Sequence, residues 1–189
     1  DGSRLWVGCG TNASGYGLFH SADGVSWSAA SVTPASVFDL FRVSSISTGH
    51  DDALYVAGTS AITGNRAMVY RVDTSTTPFT VTLVLEGVNQ VGRTFHVGGY
   101  RELWDGSAIA EDLNGTSMLF RPDAATGTSA ADWVRVDYPH HILDLQSNGD
   151  YFLGGGSRIN EPPRVFLPPL ATGAEPWDFV TFTLPTATG

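Results

Sequence analysis

LYVAG, residues 54–58, decides how the chain is read, because close copies stand at a fixed distance on either side. LWVG begins at Leu5 and LWDG at Leu103, so the first residues of the three copies are 49 positions apart. A looser copy, YFLGGG, places Tyr151 47 residues after Trp104. Each aromatic residue is followed closely by glycine, at Gly8, Gly58, Gly106 and Gly154. A polar loop comes next, then a second apolar run: YGLFHS, RAMVYRV, SMLFRP and RVFLPPL. After a turn there is a third run: VSWSAASV, FTVTLVL, DWVRVDY and WDFVTFTL. Three of these carry a tryptophan near their start, at Trp27, Trp133 and Trp177. A further run precedes the aromatic in the later copies, beginning at Val37, Arg93 and His140.

The runs alternate apolar and polar residues, are rich in β-branched and aromatic side chains, and are punctuated by Gly, Asn, Asp and Pro. No segment keeps a helical period. Each unit therefore reads as four antiparallel strands in about 48 residues, the size of one β-propeller blade. The units fall at roughly 1–35, 36–90, 91–138 and 139–189 of a single domain. Burial explains the repetition: one four-stranded sheet covers neither of its faces, whereas sheets stacked face to face cover both. A β-sandwich is the alternative all-β reading, but it gives no reason for an aromatic–glycine unit to recur. The first unit lacks its leading strand. The chain is thus a four-bladed ring with one three-stranded blade, a half-ring that pairs with another copy, or a piece of a larger propeller.

The 189 residues carry 19 acidic and 10 basic side chains, a net charge of −9 that argues against a nucleic-acid partner. All the basic residues are arginine. No apolar run is long enough to enter a membrane as a helix. The single cysteine, Cys9, excludes an internal disulfide framework and reads as a buried thiol. High glycine and low charge suit a turn-rich β protein outside the cell. The chain is accordingly expected to be secreted or at a bacterial cell surface, or in the periplasm, as a mature or excised segment.

SADGVSW (Ser21, Asp23, Gly24, Trp27) resembles the Asp-box of sialidase-like BNR-repeat propellers, S-x-D-x-G-x-x-W, shortened by one residue. In that family such turns lie on the outer rim, between the third and fourth strands of a blade. The residues themselves explain a structural turn. Asp23 accepts backbone N–H groups, Gly24 adopts a positive φ, and Trp27 covers the hairpin. The resemblance would also imply a site of three arginines, a tyrosine–glutamate pair and an acidic aspartate. FRVS at Phe41 to Ser44 is a poor match to its first arginine motif, and no Tyr/Glu pair stands out. No catalytic residue is assigned.

Trp6, Tyr55 and Trp104 are the candidate ligand-binding aromatics, with packing between sheets as the plainer role. Asp51 and Asp52 are candidate oxygen ligands for Ca²⁺, although no D-x-D-x-D-G spacing supports them. His140 and His141, adjacent on a strand, point to opposite faces, and a transition-metal site there lacks any supporting motif. No cofactor is expected. NAS at Asn12 and NGT at Asn114 match the glycosylation sequon, and Pro162, Pro163, Pro168 and Pro169 flank a short strand expected at or near a sheet edge. The expected function is a non-catalytic extracellular binding or scaffold module with a protein or glycan partner. The alternatives are a lectin or sialidase-like hydrolase, and an assembly subunit of a larger complex, as a homo-oligomer or part of a longer chain.

Overall fold

The computed structural model describes residues 3–9, 17–35, 40–49, 51–60, 67–86, 97–102, 108–112, 117–121, 134–137, 142–147, 152–156, 164–166 and 179–181. Among the described residues the protein is all-β, without a helix, and its strands form four separate sheets. Trp104, Trp133, His140, His141 and Trp177 lie outside the described residues.

Sheet 1 contains β1 (Leu5–Cys9), β2 (Gly17–Ser21) and β3 (Ser28–Ala29), in that order. Sheet 2 is built from β5 (Leu40–Thr48), β6 (Leu54–Ser60), β7 (Ala67–Asp73) and β8 (Phe79–Glu86), an antiparallel meander. Its fifth strand is β4 (Val32–Thr33), which pairs parallel with the outer edge of β8. Sheet 3 is the meander β9 (Val97–Glu102), β10 (Ala108–Asp112), β11 (Ser117–Arg121) and β12 (Val134–Asp137). Sheet 4 repeats that order with β13 (Ile142–Ser147), β14 (Phe152–Gly156), β15 (Arg164–Phe166) and β16 (Phe179–Thr181).

Sheet 1 has the three strands expected of a unit without a leading strand, and sheet 2 has a fifth because the chain changes sheets after β3. The Ala30 N–H donates to the Leu18 carbonyl at 2.9 Å, and the next residue's carbonyl, on Ser31, accepts from the Phe79 N–H at 2.9 Å. Val32 then packs into the cluster that holds Phe79, so apolar burial and backbone pairing favour the same crossing. Pro34, which has no N–H, follows directly and ends β4.

Sheet 2 has both faces covered, and the alternation of β6 shows how. Leu54 and Val56 join Leu18, Met68, Tyr70, Val72, Phe79 and Val81 in a cluster shared with sheet 1. Tyr55 and Ala57, one residue out of phase, join Val69, Leu85, Tyr100, Ala108 and Ala110 in a cluster shared with sheet 3. Fully burying a Val, Leu or aromatic side chain contributes about 1.5–3 kcal/mol, so these two clusters dominate the stability of this part of the chain. β8 serves both. Phe79 and Val81 alternate with the exposed Thr80 and Thr82, but Tyr70 pairs with Leu83 and Val69 with Leu85. Val84 is the extra residue of a β-bulge, and it turns Leu85 to the opposite face from Val81.

The sheets meet chiefly through the strands that lead each meander: β5 against β9, and β9 against β13. Ser47 Oγ donates to the Tyr100 carbonyl at 2.9 Å, and Arg101 Nη1 donates to Ser45 Oγ at 2.8 Å, which ties β5 to β9. β1 crosses β5 so closely that Gly8 has no room for a side chain. A Cβ there would overlap Val43 Cγ1 and lie 2.5 Å from Val43 Cβ.

Candidate functional site

Three side-chain clusters stand out among the described residues. The first is the turn from Ser21 to Trp27, joining β2 to β3. Ser21 is buried at the end of β2 and its Oγ donates to Asp23 Oδ1 at 2.9 Å. The same Oγ accepts the Gly24 N–H at 2.9 Å. Asp23 Oδ1 accepts the Val25 N–H at 2.8 Å and the Ser26 N–H at 2.7 Å. Those N–H groups, Ser26 first and then Val25, together with the Ser21 hydroxyl, lower the Asp23 carboxyl to about 2. Gly24 has φ 75°, the left-handed region that a glycine enters without steric cost. The Trp27 indole N–H closes the turn on the Gly24 carbonyl at 3.3 Å. Ser21, Asp23, Gly24 and Trp27 therefore form one local hydrogen-bonded unit, in which Asp23 Oδ1 accepts from groups of its own turn.

The second cluster lies at one end of sheet 2, where the β5–β6 and β7–β8 turns come together. Asp51, Asp52, Ala53, Arg71, Asp73, Thr74 and Ser75 line a cleft of about 360 Å³. Arg71 Nε donates to Asp51 Oδ2 at 2.5 Å, and its Nη1 lies 3.9 Å from Asp73 Oδ2. Asp51 Oδ1 also accepts the Ala53 N–H at 3.3 Å and the Tyr55 hydroxyl at 3.4 Å. Partial burial alone would lower the Arg71 pKa, but the hydrogen bond and charge of Asp51 outweigh it and raise it. Asp73 is held below the usual carboxylate range by the Ser75 hydroxyl, at 2.6 Å, and by the Ser75 N–H, at 3.0 Å. Asp52 has φ 60°, in the turn whose Gly49 N–H donates to the Ala53 carbonyl at 2.9 Å. The cleft is thus an acid-rich pocket with its guanidinium engaged by Asp51. No group of three or more His, Cys, Asp or Glu side chains suited to a metal ion occurs among the described residues.

The third cluster is aromatic and lies between sheets 1 and 2. Trp6 sits 5.3 Å from His20 and 5.4 Å from Phe79, and His20 sits 5.4 Å from Phe79, between ring centroids. The last two pairs meet edge to face, the arrangement that the ring quadrupoles favour. Arg4 places its guanidinium carbon 5.4 Å above the Phe79 ring and donates from Nη1 to the Thr74 carbonyl at 3.5 Å. The Trp6 indole nitrogen is buried without a hydrogen-bond partner. Tyr55 lies in the next interface, stacked on Tyr100 with ring centroids 5.2 Å apart and planes 14° from parallel. Both described candidate aromatics, Trp6 and Tyr55, therefore pack between sheets, and Tyr55 is buried there.

The structure brings Asp51 and Asp52 together with Arg71 and Asp73, residues that sequence reading did not group with them. The residue pattern does not signal this grouping, which follows from hairpin register: once Leu54 pairs with Val72, Arg71 stands beside Tyr55 and near the turn that carries Asp51. Comparison with protein families, with curated proteins and with solved structures finds no match to this chain.

Proposed function

We propose that this chain is a β-propeller of the Asp-box type, or a segment of one, acting as a non-catalytic binding or scaffold module outside the cell. The observation that carries this reading is the stacking of sheet 2 between sheets 1 and 3, with the closest approaches running through the leading strands β5, β9 and β13. Crowding at the first strands is what blades set about a common axis would give, and it supports the reading. The reading is also supported by the Ser21–Trp27 turn, which joins β2 to β3 as an Asp-box would and is closed by its own hydrogen bonds.

The scaffold role is supported by how the polar groups are used. Asp23, Asp51 and Asp73 each accept N–H groups of their own turns, and Arg71 is paired with Asp51. These residues brace turns instead of pointing a nucleophile or a proton donor into open space. The test is a glycan-panel binding scan run beside a fluorogenic sialoside assay. The non-catalytic reading expects no turnover. Saturable glycan binding would narrow it to a lectin and remove the scaffold role, and turnover that follows the purified chain would replace it with a hydrolase.

A further inference from the structure

The outer face of sheet 1 is built like a face that is covered elsewhere in the molecule. Trp6 and Gly8 of β1 face sheet 2, so Leu5 and Val7 face the other way. Register places Val7 beside Phe19, and Phe19 beside Ala29, on that same outer face. Leu5 is 55% exposed and Val7 44%, and Trp27, 41% exposed, ends the adjoining turn. In the aromatic–glycine repeat, Leu5 and Val7 correspond to Leu54 and Val56, which are 3% and 0% exposed because sheet 1 lies on them. The surface that covers this class of face is therefore known from the molecule itself. It is the opposite face of a sheet with the same construction.

The chain also offers such a sheet at its far end. Among the described residues, sheets 1, 2, 3 and 4 form an open row, with sheet 4 joined to sheet 3 through β13 and β9. Among the described residues, sheets 1 and 4 make no contact of comparable extent. We propose that the outer face of sheet 1 docks the fourth sheet of a second copy of this chain, so that two rows of four sheets close head to tail into one ring. This rests on the reading of the sheets as repeated blades. The contact is heterologous, and two such contacts about a two-fold axis saturate both open ends, so assembly stops at the dimer. An apolar face of this kind, left open, is otherwise an aggregation liability.

The test is sedimentation velocity of the 189-residue chain across micromolar concentrations. The expected species has twice the 20.1 kDa chain mass. Val7→Lys places an unpaired charge in the contact and should weaken association by at least about 30-fold, with an unchanged far-UV spectrum. Leu5→Lys is the second variant, in case Val7→Lys perturbs folding. Thr82→Lys, on the exposed side of β8, should leave the dimer intact. A monomer at every concentration, a dimer indifferent to both lysines, or a ladder of larger species would each overturn the proposal. Tyr100→Ala separates the two levels of the argument. A monomer that still loses thermal stability with Tyr100→Ala removes the dimer and keeps the stacked blades. A monomer indifferent to that change removes both.

Discussion

Replacing Gly8 with alanine tests the close crossing of β1 and β5. The added Cβ would overlap Val43 Cγ1, lie 2.5 Å from Val43 Cβ and 3.2 Å from Val43 Cγ2. Rotating Val43 moves its methyl groups but not its Cβ, which is attached to the β5 backbone, so relief requires the two strands to separate. Overpacking of this kind costs about 1–3 kcal/mol, and the backbone contact places it in the upper part of that range. Alanine has an opposing advantage of about 0.5–1 kcal/mol over glycine inside a strand. The net loss is then about 1–2 kcal/mol, which for a chain of this size lowers the melting temperature by about 2–8 °C. Thermal unfolding followed by far-UV circular dichroism reads this directly. Val43→Ala in the same background removes both γ carbons but leaves Cβ, so it should restore part of the loss as a coupling of about 0.5–1.5 kcal/mol. A Gly8→Ala protein that melts at the parent temperature, or a double variant with no recovery, would refute the close approach.

Leu85→Ala should destabilise by about 2–5 kcal/mol, since the side chain is buried in the cluster shared by sheets 2 and 3; urea unfolding measures it. Arg71→Gln should cost less than about 1 kcal/mol by the same measurement, because its pairing with Asp51 is partly exposed and screened by solvent. The Asp23 carboxyl is lowered from 3.8 to about 2, so its hold on the turn is fully present above pH 3.8 and lost as pH falls through about 2. Amide exchange of Val25 and Ser26 should therefore stay slow from neutral pH to about pH 4 and accelerate, beyond the intrinsic pH dependence, between there and pH 2. Equal protection factors at pH 4 and pH 2 would contradict it.

Local features were legible in the sequence, and features that depend on register were not. FTVTLVLE announces a strand through its alternation, and the structure has β8 there. Alternation alone, however, sends Phe79, Val81, Leu83 and Leu85 to one face. The bulge at Val84 breaks that parity, and nothing in the residue types marks it, because Val84 is itself apolar. The Ser21–Trp27 turn could be reasoned out because its bonded groups are two or three residues apart. The Asp51–Arg71 pair spans 20 residues and exists only once β6 and β7 are in register. Trp6 and Tyr55 were recognisable as recurring aromatics, but which neighbour each ring meets is decided by the order of the sheets. β4 was the least visible element, since two residues before a proline carry no periodicity.

That short strand bears on how the chain can be divided. The repeat suggests a natural cut between residues 35 and 36, yet β4 lies on the first side of it while its hydrogen-bond partner β8 lies on the second. A truncation beginning at residue 36 would leave the Phe79 N–H without Ser31 and strip Val32 from the apolar cluster. The sequence period and the folding unit are therefore offset by one strand. Any scheme that swaps, deletes or multiplies these units has to carry residues 31–33 with the sheet they join, not with the sheet they follow.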